Sequence, residues 1–93
     1  MLYPNFTEIS EENKYTEKYV FKTGLFSVDV LGDFVGTVTL QKSYDGGRTW
    51  EDVDKFVKPI STCGTNSESY TYYRMGGHTG DYLSGTLYAR IGQ

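Results

Sequence analysis

A chain of 93 residues that is 38% hydrophobic, 16% aromatic and 23% charged is long enough for one small folded domain and too short for a two-domain enzyme. A domain of this size buries only about 60 to 65% of the surface its unfolded chain exposes, so its core is thin. Nine Tyr and five Phe suit a partner or oligomer interface, whereas a net charge of -3 repels polyphosphate and argues against nucleic acid or an anionic membrane as partner.

In chain order, Met1-Leu2-Tyr3-Pro4-Asn5 lacks the basic and apolar regions of a secretory signal, and no apolar run approaches the roughly 20 residues that span a bilayer. Release from a cell would then follow another route, such as lysis after assembly into a particle. Residues 1–17 carry Glu8, Glu11, Glu12, Lys14 and Glu17 among isolated Leu2, Tyr3, Phe6, Ile9 and Tyr15, with no period. Two readings stand level: a helical turn capped at Ser10-Glu11-Glu12-Asn13, or an extended arm that orders on another subunit. Deleting residues 1–16 is then expected to leave the remaining domain, residues 18–93, folded.

From Tyr19 onward the pattern is that of strands. Phe26, Val28 and Val30 alternate with Ser27, Asp29 and Leu31, and Gly32-Asp33 supplies turn chemistry before Phe34. Thr37 to Gln41 alternates cleanly, which predicts Val38 and Leu40 in the core and Thr37, Thr39 and Gln41 outward. Asp45-Gly46-Gly47 turns the chain into a return strand, Trp50 to Val57. Pro59 to Ser67 reads as a loop, Tyr70 to Met75 as a strand, and Gly76-Gly77-His78-Thr79-Gly80 as its break. Gly85 to Ile91 closes the chain with Leu87, Ala89 and Ile91 on one face and Thr86, Tyr88 and Arg90 on the other. Five or six short strands with turns between them predict an all-β fold, a small antiparallel β-sandwich or barrel with an extended N-terminal arm.

The most specific local pattern is Ser43-Tyr44-Asp45-Gly46-Gly47-Arg48-Thr49-Trp50. It resembles the Asp-box of sialidase-type propellers and other β proteins. Its parts are structural: Asp45 can accept backbone N–H groups, Gly47 can take positive φ, Ser43 and Thr49 can bond across the hairpin mouth, and Trp50 can close it on the apolar side. A Trp50→Ala change is expected to cost about 3–5 kcal/mol, as a core truncation does. One box in 93 residues cannot build a propeller of repeated blades.

Other chemistry finds little support. His78 is the only histidine, and its spacing to Asp81 or Cys63 matches no nucleophile arrangement. The glycines around it lack the Gly-Lys-Ser/Thr ending of a phosphate loop. Asp45, Glu51, Asp52 and Asp54 depart from calcium-loop spacing, and Asp52 and Asp54, at i and i+2, are the only pair expected to share a strand face. Cys63, the sole cysteine, excludes an intramolecular disulfide and a Cys-only zinc site and fits a reducing compartment. The expectation is a non-enzymatic chain with no cofactor and no metal. Tyr3, Phe6, Tyr70, Tyr72, Tyr73, Tyr82 and Tyr88 are the candidate interface residues, with protein contact favoured over stacked sugar rings.

Taken together, the run Gly32 to Val53, which holds Gly36-Thr37-Val38-Thr39-Leu40-Gln41 and the box, with Tyr73-Arg74 and Ser84-Gly85-Thr86-Leu87-Tyr88-Ala89-Arg90-Ile91, resembles small proteins encoded among the structural genes of tailed bacteriophages. The resemblance covers residues 25–93. It implies a β-sandwich virion component, assembled in the host cytoplasm, that decorates or cements the capsid by binding major capsid or other virion subunits, and multiple copies or a homo-oligomer suit that role. A tail or neck connector and a carbohydrate-binding module on the virion surface are the alternatives.

Overall fold

Side-chain alternation along eight antiparallel strands gives two sheets, each with one apolar face, and burying those faces against each other makes the β-sandwich seen in the computed structural model. The structure describes residues 6–11, 13–68, 70–77 and 82–93, with Tyr82 and Leu83 described for their backbone only. The strands are β1 (Thr7–Ile9), β2 (Tyr19–Phe21), β3 (Gly24–Gly36), β4 (Val38–Ser43), β5 (Glu51–Phe56), β6 (Ile60–Asn66), β7 (Thr71–Gly76) and β8 (Tyr82–Gly92). The first sheet has the order β1-β8-β3-β6 and the second β2-β7-β4-β5.

Of the chain-consecutive strands, only β4 and β5 pair with each other; every other connection carries the chain from one sheet to the other. The core between the sheets takes Ile9, Phe26, Val28, Val30, Phe34, Leu87, Ala89 and Ile91 from the first and Phe21, Val38, Leu40, Phe56, Tyr73 and Met75 from the second. Phe21, Phe26 and Tyr73 form its aromatic centre, with ring centroids 4.9–5.4 Å apart. At one end the buried Asn66 amide donates to the carbonyls of Phe21, Lys22 and Glu68, and its carbonyl accepts the Tyr73 hydroxyl, so this single side chain bridges the two sheets.

Several sequence expectations are corrected. Gly32-Asp33 is no turn: β3 runs through it, paired to β8 as Gly32↔Leu87 and Asp33↔Thr86. Gly32 has φ +110°, and a Cβ there would lie 2.5 Å from the Thr86 carbonyl oxygen, so the glycine serves close approach of the β8 backbone. Residues 60–66 are strand β6, in register with β3 from Val30↔Ile60 to Gly24↔Asn66. Their polar composition reads as a loop because Ile60 is the one apolar side chain among the inward positions, which otherwise hold Thr62, Gly64 and Asn66. Phe26 fills the space over Gly64 instead, with its ring where a Cβ would stand.

Residues 7–9 and 13–16 are likewise part of the fold. Thr7 to Ile9 pairs with Ala89 to Leu87, and Ile9 is 1% exposed. Further on, Asn13 N–H donates to the Gly77 carbonyl, Thr16 N–H donates to the Met75 carbonyl, and the Thr16 hydroxyl accepts Met75 N–H. Residues 13–16 therefore extend the β2 edge along β7, so Thr7–Ile9 and residues 13–16 pair with their own domain; the helical turn expected at Ser10-Glu11-Glu12-Asn13 includes Glu12, which lies outside the described residues.

Candidate interaction surface

The hairpin between β4 and β5 is held by a small hydrogen-bond lattice. Asp45 Oδ1 accepts the backbone N–H groups of Arg48 (3.0 Å) and Thr49 (2.9 Å) and the Ser43 hydroxyl (2.6 Å), while Oδ2 accepts the Thr49 hydroxyl (2.6 Å). The Ser43 oxygen in turn accepts Gly47 N–H at 2.9 Å, and Gly47 has φ +100°. Hydrogen bonds from Ser43 and Thr49 hold the Asp45 carboxyl far below the usual aspartate range. Trp50 Nε1 donates to the Gly47 carbonyl at 3.1 Å and closes the loop.

Trp50 does not enter the core. It is half-buried on the outer face of the second sheet, with its ring 4.2 Å from the guanidinium carbon of Arg74. Tyr15 reaches the same guanidinium from the N-terminal segment, at 3.8 Å from its ring centroid. Arg74 Nε donates to Gln41 Oε1 (2.8 Å), and Gln41 Nε2 donates to Asp52 Oδ1 (3.0 Å), so the amide joins a cation to a carboxylate with both ends satisfied. Burial pulls the Arg74 pKa below its usual value, but a guanidinium stays charged. Lys18 donates to the Gly46 carbonyl at 3.0 Å and sits 5.6 Å from the Tyr72 ring centroid. Val20, paired with Tyr72, stands exposed beside them.

Two features of this layer bear on the expected strand faces. Thr39 and Gln41 do point away from the core, yet both are buried, because Tyr15, Arg74 and Trp50 roof that face. Asp52 and Asp54 do not share a face either. A bulge between the pairs Leu40↔Asp54 and Gln41↔Asp52 inserts Val53, which leaves Asp52 outward with Gln41 and turns Asp54 to the inner side with Leu40.

The candidate aromatic residues separate. Tyr73 is 4% exposed within the core, so it is no interface residue. Alternation from Met75 inward gives that placement and makes Tyr72 and Arg74 the outward pair. Phe6 and Tyr88 are half-buried on the opposite face, where the Tyr88 hydroxyl donates to Glu8 and Arg90 lies 5.9 Å from the Phe6 ring. On that face Asp29 accepts Arg90 (2.7 Å) and Ser61 (2.6 Å); the Ser61 hydrogen bond is the largest influence holding its carboxyl below the usual range. Tyr70 is exposed in the β6–β7 connection. Tyr3, His78, Asp81 and the Tyr82 side chain lie outside the described residues.

Tyr15, Lys18 and Val20 join the surface although nothing in their local sequence marks them, since it is the pairing of β2 with β7 that brings them there. Among the described residues no three His, Cys, Asp or Glu side chains gather as a metal site would require. Comparison with protein-family models, with curated proteins and with solved structures returned no match.

Proposed function

We propose that this chain is a non-enzymatic structural protein of a tailed-bacteriophage particle, a capsid decoration or cement protein that holds major capsid subunits through the outer face of its second sheet. The observation that carries the reading is the interlocked aromatic and cationic layer there, Tyr15, Arg74 and Trp50 with Lys18 and Tyr72, edged by exposed Val20. Aromatic and arginine side chains whose rotamers are already fixed lose little entropy on docking, which suits a contact repeated over a lattice. The resemblance of residues 25–93 to phage structural proteins supports the same reading.

The test is the copy number of the chain per purified particle, by quantitative mass spectrometry against the major capsid protein. Hundreds of copies support the decoration role, about a dozen move the chain to the tail or neck, and absence overturns the virion reading. The surface is tested by the paired change Val20→Lys and Tyr72→Ala, which alters outward side chains and should lower particle occupancy while the fold is kept.

A further inference from the structure

We propose that Arg74 is a carboxylate anchor, its two Nη groups taking an Asp or Glu side chain of the protein that docks on the outer face of the second sheet; the identity of that protein rests on the reading above. The guanidinium carbon lies over the Tyr15 ring at 3.8 Å and the Trp50 ring at 4.2 Å. Aromatic faces attract a cation but leave its N–H donors in need of lone pairs. Nε finds one on Gln41 Oε1, at 2.8 Å. Nη1 and Nη2 donate to no group of the protein, and solvent reaches them, since Thr39 Oγ1 is the one buried side-chain polar atom without a hydrogen bond among the described residues.

The charges around Arg74 select the occupant. None of Glu17, Asp45 and Asp52 forms an ion pair with it. Asp45 is taken up by the hairpin, and Asp52 accepts Gln41 Nε2 at 3.0 Å. Lys18 adds a second cation that also lacks a carboxylate: its Nζ donates to the Gly46 carbonyl. A Cβ on Gly47 would meet both Lys18 Nζ and Trp50 Cζ2 at 3.3 Å, so the ammonium lies beside the indole that covers Arg74. Two cations with no acid of their own thus flank one ring on a chain whose net charge is -3. The planar pair of Nη donors matches the two oxygens of a carboxylate, whereas the overall charge repels a phosphate dianion. Exposed Val20 and half-buried Tyr72, paired across β2 and β7, offer apolar contact to the stem of the same side chain.

The test uses the full chain and benzoate, with benzamide as its uncharged counterpart of similar shape and phenylphosphonate as the phosphate-like alternative. Nuclear magnetic resonance at constant ionic strength follows Arg74 Nε–H and the Trp50 indole N–H. Benzoate should move both signals saturably, and benzamide should move neither. Arg74→Lys keeps the charge but loses the planar fork, so benzoate binding read at Trp50 should weaken by about tenfold, with circular dichroism reporting the fold. Lys18→Glu, an exposed change that leaves Arg74 in place, should weaken it by about threefold or more. No saturable response to benzoate, an equal response to benzamide, tighter binding of phenylphosphonate, or binding unchanged in both variants overturns the anchor, whatever the particle contains. A benzoate site on a chain that is missing from purified particles keeps the anchor and overturns the virion reading instead.

Discussion

The guanidinium carbon of Arg74 lies 3.8 Å from the ring centroid of Tyr15, so a residue of the central strand pair of the second sheet is stacked by one from the N-terminal segment. Trp50 approaches the same guanidinium from the box hairpin. Three segments far apart in sequence thus meet on one cation, which also holds the buried Gln41.

A double-mutant cycle on Tyr15→Ala and Arg74→Ala should give a coupling of about 0.5–2 kcal/mol in urea unfolding, the range of a partly desolvated cation–π pair. Trp50→Ala should cost about 1–2 kcal/mol, less than a core aromatic, because one side of the ring already faces solvent. A loss as large as that of a core truncation would return Trp50 to the interior.

Residues 7–9 and 13–16 pair within the sandwich, so their removal should not be neutral. Ile9→Ala is expected to cost about 2–4 kcal/mol by thermal or urea denaturation, since Ile9 is buried against the end of the core. Deleting residues 1–16 should cost more, because it also strips the β1 pairing from β8 and the Thr16 contacts from Met75. A truncated chain with unchanged stability would contradict the pairing.

Gly85 opposes Phe34, with φ +91°, and a Cβ there would overlap the Asp33 carbonyl and the Phe34 Cα. Gly85→Ala should therefore destabilise by more than about 2 kcal/mol, whereas exposed Ser84→Ala should stay within about 0.5 kcal/mol. Chemical denaturation of the two variants side by side separates backbone crowding from simple loss of a surface group.

Asp29 and Asp45 both have folded-state pKa values lowered by their hydrogen bonds. The unfolded chain takes up these protons first as pH falls. Their stabilisation is therefore fully present above the ordinary aspartate pKa near 3.9 and is lost as pH drops through the folded values. The urea midpoint should fall between about pH 5 and pH 2, and the fall should be shallower in the Asp29→Asn, Asp45→Asn double variant. An identical pH profile in that variant would remove these two carboxylates as the cause.

What the sequence determined by itself is what depends on neighbours along the chain. Alternation put Val28, Val30, Val38, Leu40, Leu87, Ala89 and Ile91 in one core, and the box predicted the β4–β5 hairpin, the one pair of consecutive strands that hydrogen-bond directly. A turn held by Asp45, Ser43 and Gly47 needs nothing from elsewhere in the chain. Tertiary structure decided the rest, because every other strand finds its partner across a sheet crossing. Gly32 looks like a turn until β8 lies beside it, and residues 60–66 look like a loop until Phe26 covers Gly64. The bulge at Val53 reverses the face of Asp54 without a local signal, and Tyr15 becomes a surface residue of the second sheet only when its segment pairs with β7. Those placements are set by backbone hydrogen bonding between distant segments, and such pairing leaves little trace in the residues on either side.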